Sequence, residues 1–123
     1  MGQPALASRR ILVAEDELAI AMLLETALEE QSCAIVGPYG SLAETLAAAR
    51  TEQLDLAVLD INLAGEMVFP AAEVLAARGV PFLLLSGYGQ DGLPPDRQHW
   101  PVCGKPFRLD ELVSVLAGLL AGR

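Results

Sequence analysis

Basic residues are scarce in this chain: eight Lys and Arg stand against sixteen Asp and Glu, giving a net charge of -8. Such a surface repels phosphate backbones and argues against nucleic-acid binding through general electrostatics. There are only two cysteines, Cys33 and Cys103, without metal-ligand spacing and in different apolar runs, so they read as small, half-buried hydrophobes rather than a zinc site or a disulfide. The single histidine, His99, reads as an incidental surface or strand-edge residue. Although 53% of the residues are hydrophobic, no uninterrupted run approaches the roughly 18 residues of a membrane span. Met1 to Ser8 lacks the charged and apolar regions of a signal peptide. A cytoplasmic protein without membrane contact is therefore expected. The 123 residues suffice for one core, so a single domain over 1–123 is expected, with residues 1–8 as a flexible lead and no room for a second, output domain.

What the chain does contain is alternation. Ile11 to Ala14 is apolar; Glu17 to Glu30 places Leu18, Ala21, Met22 and Leu28 on one helical face; Ser32 to Val36 is strand-like until Gly37-Pro38-Tyr39-Gly40 breaks it. Ser41 is a good N-cap for the Ala-rich segment to Arg50. The run Leu54 to Asp60 is followed by a loop with Gly65, then by Val68, Ala71, Ala72 and Leu75 at helical spacing, with Gly79 as the terminator. Pro81 opens the next strand, and Leu109, Leu112, Val113, Leu116 and Leu120 form the stripe of a final helix. Strands apolar on both faces between amphipathic helices imply a doubly wound α/β domain with a parallel sheet. The fourth helix of this pattern is the exception: Gly87 to Gln98 holds three glycines and two prolines, so a short, irregular or mobile element is expected. Trp100, held extended before Pro101, is expected to cover the edge of the core.

Polar residues collect where these strands end. Glu15-Asp16 follows the first, Asp60 closes the third, Ser86 closes the fourth and Lys105 follows the fifth. Singly, each has an ordinary reading: an acidic first helical turn, a solvated strand-end acid, a turn hydroxyl, a surface lysine. Together, at one edge of a parallel sheet, they form a ligand site. An aspartate can attack a phosphoryl group, but the two charges repel unless a cation intervenes. Mg2+ favours oxygen ligands, so Glu15, Asp16 and Asp60 with one backbone carbonyl could hold it. Ser86 and Lys105 could then contact the remaining phosphoryl oxygens.

On these residues the chain resembles the receiver domain of two-component response regulators over nearly its full length. The resemblance implies a flavodoxin-like five-stranded parallel sheet in the order 2-1-3-4-5, with Asp60 as phosphoacceptor, Ser86 and Lys105 as its catalytic companions, and Asn62 lending its backbone carbonyl to the metal. It implies a cis bond between Lys105 and Pro106. It also implies a histidine kinase as donor, self-catalysed phosphorylation and dephosphorylation rather than enzymatic turnover, and a downstream protein or phosphotransfer partner. Pro81-Phe82-Leu83-Leu84-Leu85-Ser86-Gly87-Tyr88-Gly89 is similar to the FAT GUY receivers associated with HWE-type kinases, with Leu84 and Ser86 in place of the usual Ala and Thr. The family's aromatic switch position is Val102, which leaves Tyr88 as the substitute, with Ser86 as the other switch residue.

Rival readings fare worse. A phosphatase acting through Asp60 needs an acid two residues on, where Asn62 stands. A flavin site needs Gly, Ser or Thr donors in the first loop, which is acidic. A pseudo-receiver, an interaction module indifferent to phosphorylation, would be favoured by a missing acid, hydroxyl or lysine, and none is missing.

Overall fold

The structure is a computed structural model that describes residues 4–122. Five parallel strands, β1 (Arg10–Ala14), β2 (Ala34–Tyr39), β3 (Leu56–Asp60), β4 (Phe82–Ser86) and β5 (Val102–Gly104), form one sheet in the order β2-β1-β3-β4-β5. Four helices connect and flank them: α1 (Leu18–Glu30), α2 (Leu42–Thr51), α3 (Phe69–Ala77) and α4 (Leu109–Ala121). This is a flavodoxin-like fold in the expected strand order. No described helix is long and apolar enough to cross a membrane.

Strand residues alternate between two cores, as a pleated sheet covered on both faces requires. Leu12, Ala14, Ala57, Leu59, Phe82 and Leu84 pack with Ala48, Ala49, Ala71, Ala72 and Leu75 of α2 and α3. Ile11, Val13, Leu56, Val58, Leu83 and Leu85 pack with Leu24 and Leu28 of α1 and Leu112, Val113, Leu116 and Leu120 of α4. The stripe expected on the final helix is thus its core face.

The first helix is rotated from the expected face. Ala21, Leu24, Ala27 and Leu28 are buried, whereas Leu18 is 75% and Met22 56% exposed. Met22 and Leu23 lie roughly 100° and 200° around the axis from Ala21, which turns them away from the sheet. The Gly37-Pro38 break is also corrected: β2 runs through it to Tyr39. A register shift between Leu12↔Val36 and Ala14↔Tyr39 absorbs the irregularity, and β2 is an edge strand, where a proline's missing donor is tolerated. Gly37 is required there, at φ +108° with Val13 O only 2.7 Å from where a Cβ would sit.

Part of the flexible lead expected over residues 1–8, Met1 to Gln3, lies outside the described residues. Pro4–Leu6 forms a 3-10 turn and Leu6 is fully buried in the core shared by α1 and α4. Ser41 caps α2, accepting from Glu44 N–H at 3.2 Å.

In the fourth connection no α-helix forms. Two 3-10 turns, Gly89–Gly92 and Pro95–Arg97, carry the chain from β4 to β5, as glycines and prolines in place of an apolar stripe require. Between them Leu93 dips into the core, and Trp100 closes that side, edge-on to Phe82 at 5.3 Å between ring centres. Arg97 sits 5.4 Å over the indole and is itself held by Glu73 at 2.9 Å. Replacing Trp100 with alanine should cost about 3–5 kcal/mol of folding stability, read from urea unfolding; a loss under about 1 kcal/mol would mean the indole is not part of the core.

Candidate functional site

Register brings the polar strand ends together. Ala14 lies opposite Leu59 and Asp60 opposite Leu85, so Glu15, Asp60 and Ser86 emerge at one level from three neighbouring strands. Ser86 lies opposite Gly104, and Lys105 follows with its N–H donating to Ser86 O at 2.8 Å. Glu15, Asp60 and Ser86 are the three site side chains that are buried.

Their bonds are specific. Lys105 Nζ donates to Asp60 Oδ2 at 2.9 Å and to Glu15 Oε1 at 3.3 Å. Glu15 Oε2 accepts from Glu17 N–H at 3.1 Å, and Asp60 Oδ1 accepts from Asn62 N–H at 3.3 Å. Ser86 Oγ accepts from Tyr88 N–H at 3.0 Å. The Lys105–Pro106 bond is cis, and so is Gly37–Pro38.

One ammonium facing two buried carboxylates leaves a surplus of negative charge, and the protonation states adjust to it. Burial pushes the Glu15 carboxyl up to about 7; the Glu17 N–H opposes this, the Asp60 carboxylate adds to it and Lys105 offsets a part. Burial works against the Lys105 ammonium, but the hydrogen bond and charge of Asp60, then Glu15, carry it above the usual lysine value.

Exposed Asp16 completes a triad: one oxygen each of Glu15, Asp16 and Asp60 lie within 4.8 Å of one another. Three hard oxygen donors, one of them on exposed Asp16, fit a small divalent cation such as Mg2+ better than any thiolate- or imidazole-preferring metal.

Beside Asp60 lies a cavity of about 130 Å³, walled by Ile61, Asn62, Met67, Ser86, Tyr88 and Gly92 among others. Met67 belongs to a feature absent from the sequence-based expectation, a small hairpin in which Asn62–Leu63 pairs with Glu66–Met67 around Ala64 and Gly65, both at positive φ. Ile61 and Gly92 are further wall residues that sequence reasoning missed. Tyr88 touches the site through its backbone, while its side chain is 81% exposed. Val102 lies opposite Leu84, half-buried, with no ring to offer.

No family model matches the chain. The chain is 40% identical to SdrG from Sphingomonas melonis Fr1, the match covering 96% of this chain and 99% of that one with a TM-score of 0.78. It also superposes on SdrG in its BeF3-activated conformation, with a TM-score of 0.75. The receiver domain of the PhyR response regulator from Erythrobacter litoralis is 27% identical over 95% of this chain and 93% of its own, with a TM-score of 0.82. The chain belongs to the response-regulator receiver family. Its curated relative PdtaR, a transcriptional regulatory protein of Mycobacterium tuberculosis, is 30% identical over 112 residues, 88% of this chain. The receiver spans about half the length of that relative, 55%. The Glu15, Asp16 and Asp60 cluster is consistent with the phosphoacceptor site of that family.

Proposed function

We propose that this receiver takes a phosphoryl group from a histidine kinase onto Asp60 and signals through the resulting change in protein contacts. The observation that carries this reading is the convergence on Asp60 of a cation, an acidic metal cluster and a hydroxyl-lined cavity.

In the transfer, an Asp60 carboxylate oxygen bonds to phosphorus as the bond from phosphorus to the donor's imidazole nitrogen breaks; the nitrogen keeps the electron pair and takes a proton. Glu15, Asp16, Asp60 and the Asn62 backbone carbonyl would hold a Mg2+ ion, which would supply charge neutralisation for the transfer. Lys105, already 2.9 Å from Asp60, is placed to follow the developing negative charge onto a phosphoryl oxygen. Ser86 is the hydroxyl that can reach the same group from the cavity side, with Tyr88 as the exposed residue that reports its position.

A donor needs a surface as well as an acceptor. Leu18, Met22 and Leu23 form an exposed apolar face on α1. It continues into a groove lined by Ile20, Leu23, Pro106, Phe107 and Leu109, with Lys105 joining groove to site. Such a surface suits the apolar stripe of a partner helix. The Ser86-Gly87-Tyr88 segment after Pro81-Phe82 supports an HWE-type kinase as that partner. We further propose that the domain signals through a downstream protein or acts as a phosphate sink or shuttle.

Incubation with a small phosphodonor and Mg2+ should add the mass of one phosphoryl group to the wild type and nothing to Asp60→Asn. An adduct of equal yield in the variant, or none in the wild type even with candidate kinases as donors, would overturn the proposal.

A further inference from the structure

Most arginines of this acidic chain are matched with acids. Arg9 faces Asp55 at 3.7 Å, Arg10 faces Glu52 at 2.9 Å, Arg97 faces Glu73 at 2.9 Å and Arg108 faces Asp110 at 3.1 Å. Arg78 differs. Among the described residues it pairs with no carboxylate; its Nη1 donates to Ala49 O, and its Nη2 to Glu52 O at 2.8 Å. Those carbonyls belong to the end of α2, so capping of a helix C-terminus is the ordinary reading of the contact. It does not account for the crevice that Arg78 lines.

The crevice, of about 340 Å³, opens at the N-terminal edge of the sheet, where Arg10 begins β1, Gln53, Leu54 and Asp55 lead into β3, and Arg78 and Val80 lie between α3 and β4. Buried Leu54 and Val80 are its apolar members. Its acceptors are already engaged: Asp55 takes the Arg10 N–H at 2.9 Å and faces Arg9, and Gln53 O takes Arg10 Nε at 2.7 Å. Its donors are in surplus. A guanidinium carries about five N–H groups, yet Arg10 commits only Nε and Nη2, and Arg78 only its two Nη atoms. Among the described residues, Arg10 Nη1 and Arg78 Nε have no partner. The charges also leave a remainder, since the guanidinium groups of Arg9, Arg10 and Arg78 outnumber the carboxylates of Glu52 and Asp55, in a chain whose net charge is -8.

We infer that this crevice is a binding site for a phosphate group, free or borne by a small molecule, held between the guanidinium groups of Arg10 and Arg78. Each guanidinium is a planar fork that matches two oxygens of one oxyanion. A tetrahedral phosphate has oxygens for two forks arriving from different elements, whereas a carboxylate fills one. The bonds to main-chain carbonyls fix both forks before a ligand arrives, so little side-chain freedom remains to be lost on binding. The site is separate from the acidic cluster: Asp55 and Asp60 lie at opposite ends of β3, roughly 16 Å apart along the strand. It therefore does not depend on Asp60 accepting a phosphoryl group.

Titration of the metal-free protein with inorganic phosphate, followed by amide NMR, tests the inference. The Leu54, Asp55 and Val80 amides should shift and saturate, and acetate at matched ionic strength should bind about tenfold more weakly or less. Arg10→Gln and Arg78→Gln should each weaken phosphate binding about tenfold, while Arg50→Gln, which removes an exposed arginine outside the crevice, should leave it within about twofold. Asp60→Asn should bind as the wild type does. If a glutamine variant fails to fold, Arg78→Lys carries the test, because it keeps the charge and loses the fork; phosphate affinity unchanged in that variant would show attraction by charge alone and overturn the inference. Glycerol 3-phosphate separates the sources: tighter binding than inorganic phosphate assigns the crevice to a phosphomonoester resting on Leu54 and Val80, and equal binding assigns it to the free ion. Shifts that fail to saturate by about 50 mM phosphate, an equal response to acetate, or shifts confined to the Asp60, Ser86 and Lys105 amides would defeat it.

Discussion

Substituting Lys105 with methionine, which keeps the aliphatic stem and removes the ammonium, is expected to slow phosphoryl uptake by Asp60 on the order of 10²- to 10³-fold, the usual cost of one preorganised charge donor. The ammonium bonds to both buried carboxylates, so it does two things at once. It orients Asp60 in the resting state, and it meets the phosphoryl oxygen as charge builds there. Its removal leaves Glu15 and Asp60 facing each other without a cation, and because Lys105 opposes the upward shift of Glu15, the Glu15 carboxyl should hold its proton to still higher pH. A metal site that must first lose that proton fills less readily. Uptake followed by intact mass at several Mg2+ concentrations separates the two effects: extra Mg2+ should recover a part of the loss, and the remainder is the direct contribution of Lys105. A rate within about threefold of wild type would show that the ammonium takes no part in the transfer.

The second large effect concerns pH. The Glu15 carboxyl titrates near 4.5 when unfolded and is pushed up to about 7 in the folded domain, chiefly by burial. Between those values the folded state binds more protons than the unfolded state, so this group makes the metal-free domain less stable as pH rises from about 4.5 to about 7, after which its effect levels off. The shift corresponds to about 3 kcal/mol over that window. Lys105, raised above the usual lysine value, contributes stability that is intact throughout this range and lost only at strongly alkaline pH. A divalent cation binds the ionised form of Glu15, so affinity should tighten up to about pH 7 and then plateau, and saturating Mg2+ should shrink or invert the fall in stability. Urea unfolding at pH 5 and pH 8, with and without Mg2+, gives all four values. Glu15→Gln should flatten the metal-free dependence; metal-free stability that climbs from pH 5 to pH 8 would contradict this electrostatic account.

Much of the site was legible because its residues end strands. Glu15-Asp16, Asp60, Ser86 and Lys105 each follow a short apolar run, and in a parallel sheet such ends share one edge whatever the details of packing. The failure of the fourth helix was equally legible, since glycine and proline composition acts locally. Other features depend on neighbours that sequence does not reveal. Leu18 and Met22 continue the apolar pattern of α1, and only the seating of the helix on the sheet decides that Leu24 and Ala27 are covered in their place. Pro38 looks like a terminator, yet at an edge strand with a register shift it is accommodated. Leu6, in a segment without periodicity, is buried because α1 and α4 leave room for it. Gly92 sits in a glycine-rich tract where conformational freedom is the obvious reading; its actual requirement, clearance for the Ser86 hydroxyl, exists only in three dimensions.

The central claim is that Asp60 carries the phosphoryl group, and reductive trapping tests it residue by residue. Borohydride converts an aspartyl phosphate to homoserine, so after incubation with phosphodonor and Mg2+, peptide mass spectrometry should find homoserine at position 60 and nowhere else. Conversion at another acid, such as Asp16, or no conversion in a sample that has gained the phosphoryl mass, would contradict the account.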